Sequence, residues 1–295
     1  MNYTPVSLAE KDTYLKLWQK TPQRSLDYTL ANLWGWGPYF GLEWNFDGEL
    51  CRLRQTVPAP VQWAPIGDWK SIDWTKEELT AKGGTFIRVP EELARIWAEA
   101  LGDRAEITEA RGHWEYLYNQ QDLATLAGKK FHKKKNHVNA YIKEYGEPDY
   151  RPLNTGEAIE DVLSLQDEWC QWHECQGSNS LQAENEAINR VLAHWEAIPG
   201  LVGGALYAEG NIAAFSIGEK LDDENLGVHY EKGRTSVRGV YQTINRCFSS
   251  HDGNGFRYLN RAQDLDEEGL RQAKMTYQPA GFLQKYTVRI APADK

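Results

Sequence analysis

The sequence has 295 residues, of which 41% are apolar and 12% aromatic, with twelve tryptophans and fifteen tyrosines. This composition can bury a large core, which excludes intrinsic disorder, and the length fits two domains of about 150 residues. The formal net charge of −9 disfavours non-specific binding of nucleic acid by the whole surface, but a local basic patch can still hold phosphates.

The first half of the chain predicts two helices, three strands, and then alternating helices and strands. Apolar residues recur at helical spacing in residues 7–20 and 27–36. Asp47-Gly48 separates two strand-like runs and is a strong hairpin signal. After it come a third strand at 60–67, a helix at 71–83, a strand at 85–90, a helix at 91–102 and an extended segment at 105–119.

The second half repeats this order. Thr155 is a plausible N-cap for the first of its two helices, and Glu209-Gly210-Asn211 is the turn of its hairpin. The segments are helices at 155–176 and 183–198, a hairpin at 201–220, a strand at 225–233, a helix at 239–251, a strand at 255–260, a helix at 266–279 and a strand at 282–291.

This element order is that of the acyl-CoA N-acyltransferase (GNAT-like) fold, and it occurs twice. We therefore predict an α+β / α/β protein made of two tandem GNAT-like domains with mixed central sheets. The boundaries that follow are an N-terminal domain at 1–119, a basic helical connector at 120–148, and a C-terminal domain at 149–295 that carries the active site.

Targeting and metal signals are weak. No run approaches the roughly 20 apolar residues of a membrane-spanning helix, and the N-terminus does not resemble a signal peptide, so we predict a cytoplasmic protein. The cysteines have no metal-ligand spacing, and we interpret them as reduced thiols: Cys51, Cys170, Cys175 and Cys247. His132 and His137 are five apart, which is wrong for a helical metal pair, and we predict no metal site.

A basic segment lies in the middle of this acidic chain, in "GKKFHKKKNHVNAY" at 128–141. On a helix, Lys129, Lys133 and His137 follow one side, and Lys130 and Lys134 the next. Two interpretations stay open, because a run of charges is usually a solvated face. The segment is either such a face or a docking site for something negative.

The segment 228–245 runs from a strand through a loop with Arg234 and Arg238 into a helix that begins near Gly239. Two arginines beside free amides at a helix N-terminus are typical of an anion site. The glycine spacing of "RTSVRGV" departs from that of a pyrophosphate loop. The alternative is a surface loop whose arginines pair with nearby acids.

A second cluster of polar residues follows the strand at 255–260. Asn260 and Arg261 lie at the carboxyl end of that strand, where open α/β sheets collect ligands, and Asp264 follows in the loop. Lys274 and Tyr277, three residues apart, share a helix face and complete a predicted substrate site. The alternative is that Asp264 or Asp266 simply caps the helix that starts near Glu267.

Three segments resemble a known family. They are "WEYLYNQQDLATLAGKKFHKKKNHVNAY", "YQTINRCF" and "YLNRAQDLDEEGLRQAKMTYQPAGFLQKYTV", and the match is best over 114–145 and 225–290. They resemble soluble bacterial proteins related to the C-terminal domain of phosphatidylglycerol lysyltransferase, a family long of unknown function with a tandem acetyltransferase-like fold. The positions that match the family pattern are Lys133, Lys134, Asn136 and His137, then Glu231 and Lys232, then Asn260, Arg261 and Asp264.

The resemblance implies an acyltransferase that moves an aminoacyl group from charged tRNA to an amine or hydroxyl of a small-molecule or lipid acceptor. No further cofactor is then required. Asp264 or Glu231 would recognise the amino acid or act as base, and Arg261 and Lys232 would stabilise charge. The phosphate and tRNA contacts implied are Arg234, Arg238 and Gly239, and on the basic segment Lys129, Lys130, Lys133, Lys134 and His137.

Two other functions remain open. The chain could be a binding protein without chemistry that holds an anionic ligand or an RNA end. It could also be an acyl-CoA-dependent N-acetyltransferase, although the altered glycine loop argues against coenzyme A. The sequence also lacks the membrane domain of the synthases, which argues against a lipid as the acceptor.

Overall fold

The computed structural model describes residues 2–293, which form two compact units. The first unit comprises Met1–Glu115, Gln263–Glu268 and Phe282–Lys295, and the second comprises Tyr116–Ala262 and Gly269–Gly281. Each unit contains one mixed β-sheet with helices around it. The predicted fold class, an α+β protein of two units with mixed sheets, is confirmed.

The two units are built from the following elements. The helices are α1 (Lys11–Trp18), α2 (Leu30–Phe40), α3 (Glu78–Lys82), α4 (Glu91–Leu101), α5 (Gln120–Thr125), α6 (His132–Tyr145), α7 (Gly156–Trp172), α8 (Asn179–Ala193), α9 (Val240–His251) and α10 (Glu268–Met275). The strands are β1 (Thr4–Pro5), β2 (Glu43–Phe46), β3 (Leu50–Gln55), β4 (Val61–Trp63), β5 (Ile66–Gly67), β6 (Gly84–Pro90), β7 (Ala105–Glu109), β8 (Glu115–Asn119), β9 (Asp149–Pro152), β10 (Leu201–Ala208), β11 (Asn211–Lys220), β12 (Asn225–Gly233), β13 (Tyr258–Asn260), β14 (Gly281–Leu283) and β15 (Lys285–Ile290).

The sheet of the first unit has the order β1-β2-β3-β4-β6-β15-β7, with β5 beside β3. The strands β4 and β6 pair in parallel, and β15 pairs antiparallel with both β6 and β7. Large aromatic side chains fill the core of this unit. Phe86 of β6 packs edge-on against Trp97 of α4 at 4.9 Å between ring centroids, and both are fully buried.

The sheet of the second unit has the order β14-β8-β13-β12-β11-β10-β9. The strands β12 and β13 pair in parallel, joined by the crossover helix α9, whereas β8 pairs antiparallel with β13. The buried side of α9 presents Val240, Ile244 and Cys247 to Leu206 of β10 and to Tyr141 of α6. This packing fixes α9 and α6 beside the strands that carry the candidate site.

Each sheet receives one strand from the other half of the sequence. The strand β8, from the first half, lies between β13 and β14, and β15, from the end of the second half, lies between β6 and β7. The predicted boundaries at 119 and 148 therefore differ from the observed units. Strand signals are local, whereas the choice of sheet depends on partners far away along the chain.

Local signals in the sequence agree with the structure at turns and caps. Glu209 and Gly210 both have positive φ, as the two-residue hairpin between β10 and β11 requires. The Asp47 carboxylate accepts a hydrogen bond from the Leu50 amide at 2.8 Å and closes the hairpin between β2 and β3. The Thr155 hydroxyl accepts from the Ala158 amide at 3.2 Å and caps α7.

The basic segment belongs to the second unit and is not a separate connector. Its buried side carries Phe131, Val138 and Tyr141, and the Tyr141 hydroxyl donates to the Tyr207 carbonyl at 3.0 Å. This apolar face could not be recognised in the sequence, because it has too few residues to give a clear helical period among so many charged ones.

One expectation about cysteine is wrong. Cys170 in α7 and Cys175, five residues later, form a disulfide, whereas Cys51 and Cys247 are free and buried. The helix brings Cys170 to the turn that contains Cys175, with 5.1 Å between the two Cα atoms, and this proximity cannot be read from a C-x4-C spacing alone.

Candidate active site

A charged pair lies at the carboxyl end of β13 in the second unit. Arg261 follows directly after that strand, and its guanidinium pairs with the Glu231 carboxylate of β12 at 3.0 Å. The two side chains are only 16% and 13% exposed. Two of the four residues predicted to be catalytic are therefore in contact, at the place where sequence reasoning expected a ligand site.

Tyrosine rings surround Arg261. Its guanidinium carbon lies 4.9 Å from the ring centroid of Tyr277 and 5.9 Å from that of Tyr118. Burial raises the pKa of Tyr277 to about 12 and that of Tyr118 well above its usual range, so both stay neutral. Burial by itself lowers the pKa of Arg261, but Glu231 and the two tyrosines raise it above its ordinary value. Arg261 is a permanent, oriented cation.

Lys134 of α6 joins the same cluster. Its ammonium lies 3.9 Å from the ring centroid of Tyr277, and no carboxylate among residues 2–293 pairs with it. Burial, and then repulsion by Arg261, lower the pKa of Lys134. Two cations thus share one tyrosine ring while Glu231 neutralises only one of them, which makes this place attractive for an anionic group.

The residues predicted to bind substrate lie around the same strand end. The Lys274 ammonium donates to the Arg261 carbonyl, and its nitrogen is 5.6 Å from the ring centroid of Tyr116. The Asn260 side chain is fully buried and accepts from the Ala262 amide at 3.1 Å, which holds the sharp turn after β13. Lys274 and Tyr277 therefore line the cluster. The hydrogen bond of Asn260 instead stabilises the backbone of the turn that follows β13.

Two buried polar groups near Glu231 were missed by sequence reasoning. The Asn245 amide of α9 donates to Glu231 at 3.4 Å, but its Oδ1 atom has no partner, and Ser216 Oγ of β11 has none either, among residues 2–293. Ser216 is 0% exposed and Asn245 1%. Each such group costs about 1–3 kcal/mol when left unsatisfied, so both need an explanation.

Lys232 does not join the cluster. Because successive residues of a strand face opposite sides of the sheet, Lys232 points away from Glu231. Its ammonium pairs with Glu184 of α8 at 2.7 Å and lies 3.8 Å from the Trp169 ring of α7. The side chains of Glu231 and Lys232 therefore do not converge, and the strand period of two already indicates this.

Asp264 follows the end of β13 by four residues. It lies in the first unit, where its fully buried carboxylate pairs with Arg111 at 3.1 Å and accepts from the Asp266 amide at 2.9 Å. Asp264 thus closes a turn before α10. The Asp266 amide lies before α10, so this hydrogen bond forms a turn and is not a cap of the helix.

The predicted phosphate loop is largely occupied by protein groups. Arg234 donates to Glu168 at 3.0 Å and to the Ile212 carbonyl at 2.8 Å. Gly239, the N-cap of α9, has φ +76° and lies so close to the α6 backbone that a β-carbon there would collide with the His137 carbonyl. Arg238 is exposed. These residues do not converge on one anion site.

The basic segment presents its charges to solvent. Lys129, Lys130, Lys133 and His137 are exposed, and only Lys130 has an acidic partner among the described residues, Asp122 at 2.8 Å. The unpaired lysines of the segment are Lys129, Lys133, Lys134 and Lys135. We call these four the lysine patch. It adjoins the Arg261 cluster through Lys134.

The first unit contains a buried ionic network that the sequence did not reveal. Lys285 of β15 pairs with Asp27 and, at 2.5 Å, with Glu115, and Arg88 of β6 pairs with Asp27. The Ser25 hydroxyl donates to Glu115 at 2.7 Å. Its members are far apart in sequence, so no spacing motif could indicate it. Within residues 2–293, no group of three His, Cys, Asp or Glu side chains could hold a metal ion.

The family model of the phosphatidylglycerol lysyltransferase C-terminal region matches residues 18–289, and the chain belongs to that family. The predicted family is therefore confirmed. No helix of residues 2–293 has the length and apolar composition to cross a membrane.

Three solved structures are similar to the chain. A conserved protein of unknown function from Bacteroides thetaiotaomicron is 30% identical, with a TM-score of 0.86, over 99% of this chain and all of that one. The C-terminal domain of a candidate lysylphosphatidylglycerol synthetase from Agrobacterium fabrum is 12% identical, with a TM-score of 0.67, over 96% and 92% of the two chains. L-PGS from Bacillus licheniformis is 13% identical, with a TM-score of 0.65 and the same coverage. At these identities, the similarity to the Agrobacterium and Bacillus structures shows a common fold.

Proposed function

We propose that the protein is an aminoacyltransferase that moves an aminoacyl group from charged tRNA to an amine or hydroxyl acceptor. The observation that carries this proposal is the family match over residues 18–289, joined to the pairing of Arg261 with Glu231 at the end of β13. Charged tRNA is a cytoplasmic donor, so the proposal includes a cytoplasmic location.

The reaction requires positioning more than activation, because the aminoacyl ester of tRNA is already reactive. The acceptor nitrogen or oxygen attacks the ester carbonyl carbon, and the bond from that carbon to the ribose oxygen breaks. The acceptor's proton ends on the ribose hydroxyl that leaves. Arg261, held by Glu231 and by the Tyr277 ring, would stabilise the negative charge that develops on the carbonyl oxygen.

The lysine patch would hold the donor. Its four ammonium groups have no acidic partners among residues 2–293, so phosphates of the acceptor arm of tRNA can displace counterions there. Lys134 would link this surface to the Arg261 cluster, because it contacts the same tyrosine ring. The net charge of −9 then limits nucleic-acid binding to this one region of the surface.

Loss of label from charged tRNA tests the proposal. Purified protein is incubated with tRNA charged with labelled amino acids and with a total extract of small molecules and lipids. Label that enters a new product identifies the aminoacyl group and the acceptor, whether small molecule or lipid. Label lost no faster than by spontaneous hydrolysis, with a working control enzyme, contradicts the proposal, and saturable binding of coenzyme A would then favour an N-acetyltransferase.

A further inference from the structure

A cavity in the second unit lies between the end of α7 and the start of α8. Its volume is about 650 Å³, which is the size of a small-molecule site. The residues that line it from the α7 side are spaced three and four apart: Asp167, Cys170, Gln171 and Glu174. Cys175 lines it as well, so the disulfide between Cys170 and Cys175 is part of the wall. We call this space the disulfide cavity.

The two sulfur-bearing residues differ in their access to solvent. Cys175 is 4% exposed, whereas Cys170 is only half-buried. A thiolate opens a disulfide by attack on one sulfur, and the other sulfur leaves with the bonding electrons. Access therefore makes Cys170 the sulfur that is attacked and Cys175 the one that leaves.

The charge of the disulfide cavity has one sign. Three carboxylates line it, those of Asp167, Glu174 and Glu186, and its lining contains no Lys, Arg or His. No basic side chain among residues 2–293 pairs with any of the three. The field at the disulfide therefore attracts a cationic solute and repels an anionic one.

Amide oxygens add acceptors for N–H groups at the same place. Gln182 donates its side-chain amide to Glu186 at 3.2 Å, which leaves the Gln182 oxygen as an acceptor. Gln166, one turn before Cys170, is 1% exposed and donates to Asn185 of the lining at 3.1 Å. The Gln166 Oε1 atom has no partner within the described residues. An ammonium group in the cavity would meet carboxylates and amide oxygens alone.

We propose that the disulfide cavity is a modification site, at which a small cationic thiol exchanges with the Cys170–Cys175 disulfide. The thiolate of the small molecule attacks Cys170 Sγ and forms a new S–S bond, while the bond between the two cysteines breaks. The electron pair goes to Cys175 Sγ, which takes up a proton from solvent. A second molecule of the thiol attacks the mixed disulfide, and Cys170 takes up the second proton. Two small thiols are thereby oxidised to one disulfide, and the two cysteines gain two electrons.

This site is separate from the Arg261 cluster. Lys232, whose side chain faces away from Glu231, contacts Trp169 of α7 and Glu184 of α8. The two helices therefore cover the opposite face of the sheet. The inference goes beyond the proposed function and needs only one point from it: in the cytoplasm, disulfides are usually transient and redox-active.

The rate at which thiols open the disulfide tests the inference on the full chain. The probes are cysteamine, 2-mercaptoethanol and 3-mercaptopropionate, which are similar in size and carry a positive, no and a negative charge. Acid quenching, alkylation and peptide mapping by mass spectrometry follow the new thiols at Cys170 and Cys175. Each rate is divided by the rate of the same thiol with bis(2-hydroxyethyl) disulfide, which is uncharged. At low salt, the normalised rate for cysteamine should exceed that for 3-mercaptopropionate about tenfold, and roughly 1 M salt should remove most of the difference.

Charge-neutral variants assign this preference to the cavity. Glu174→Gln with Glu186→Gln should reduce the preference for cysteamine about threefold or more, because one of the three carboxylates remains. Glu147→Gln with Glu196→Gln is the matched control. It makes the same change in net charge at exposed positions outside the lining, so the preference should be unchanged.

Single-cysteine variants identify the attacked sulfur. Cys175→Ser leaves the Cys170 thiol in the cavity and should take up cystamine, the disulfide of cysteamine, as a stable adduct. Cys170→Ser leaves the more buried Cys175 and should react at least about tenfold more slowly. Faster reaction of Cys170→Ser would contradict the direction of attack.

Two results would overturn the inference. Equal normalised rates for cysteamine and 3-mercaptopropionate at low salt would show that the carboxylates do not select the thiol. A rate of opening that is independent of thiol concentration would show that the disulfide reacts only after the protein unfolds.

Discussion

The ammonium of Lys134 lies 3.9 Å from the centre of the Tyr277 ring. Arg261 lies against the same ring, at 4.9 Å. One neutral tyrosine therefore positions two cations from distant parts of the sequence, an exposed helix and a strand end. We regard this ring as the physical link between the lysine patch and the Arg261 cluster.

Tyr277→Leu should weaken the binding of charged tRNA by roughly fivefold, because loss of a cation–π contact costs about 1 kcal/mol. Tyr277→Phe retains the ring and should bind nearly as well as the parent. Affinity for charged tRNA, measured by filter binding at fixed salt concentration, checks both. Equal affinities for the leucine and phenylalanine variants would show that the ring does not position the cations.

Arg261→Ala should lower the rate of label transfer by at least about a hundredfold, because the developing charge on the carbonyl oxygen loses its oriented donor. It should also cost about 2–3 kcal/mol of stability, since Glu231 is left nearly buried without its ion pair. The double variant Arg261→Met with Glu231→Gln removes that stranded charge and serves as a stability control. If the double variant regains stability and also transfers label at the parental rate, Arg261 has no part in the chemistry.

The lysine patch should make tRNA binding steeply dependent on salt. Reversal of two of its charges, Lys133→Glu with Lys135→Glu, should reduce affinity and lower the slope of log affinity against log salt by about two or more. Lys16→Glu with Lys143→Glu changes the same total charge at exposed positions outside the patch and is the control. If both pairs reduce affinity equally, only the net charge matters.

The buried network in the first unit should make stability fall in acid. Burial alone raises the pKa of a carboxyl, but Arg88 and Lys285 outweigh it and hold the pKa of Asp27 well below its ordinary value. The unfolded chain therefore binds more protons than the folded one below about pH 4, and the free energy of unfolding decreases as the pH falls through that range. Urea titrations at several pH values measure the slope. Asp27→Asn cannot titrate, so its slope should be shallower.

Reduction of the disulfide between Cys170 and Cys175 should lower the free energy of unfolding by about 2 kcal/mol, the expectation for a short closed loop. Urea titration with and without a dithiol reductant measures the difference. Cys170→Ser with Cys175→Ser should unfold like the reduced protein under both conditions. If the reductant lowers the stability of the parent and of this variant equally, the loss of stability does not come from this disulfide.

Sequence reasoning was most successful where the signal is local. The hairpin at Glu209-Gly210 and the cap at Thr155 depend on a few neighbouring residues, and both are present. Arg261, Lys274 and Tyr277 could be grouped because they follow one strand end and lie within a short stretch of sequence, although α10 ends at Met275, before Tyr277. The strand period of two is a further local signal, and it places Glu231 and Lys232 on opposite faces of the sheet, as observed.

Other features depend on contacts between distant segments, and no local pattern indicates them. Ser216 and Asn245 are ordinary polar residues whose interest comes only from burial without a partner. In the sequence, Lys285 is one of several charged residues in a strand of alternating polar and apolar residues. Its burial follows only from the position of β15 between β6 and β7. The assignment of β8 and β15 to their sheets is of the same kind.

The exchange of β8 and β15 also has a consequence for synthesis on the ribosome. The first sheet lacks its strand between β6 and β7 until β15 has been translated, so the edges of those two strands stay open while the whole second half emerges. The N-terminal half therefore cannot reach its final form early, as a domain that folds from one end would. A gene cut between the halves would yield two polypeptides that each carry the other's missing strand.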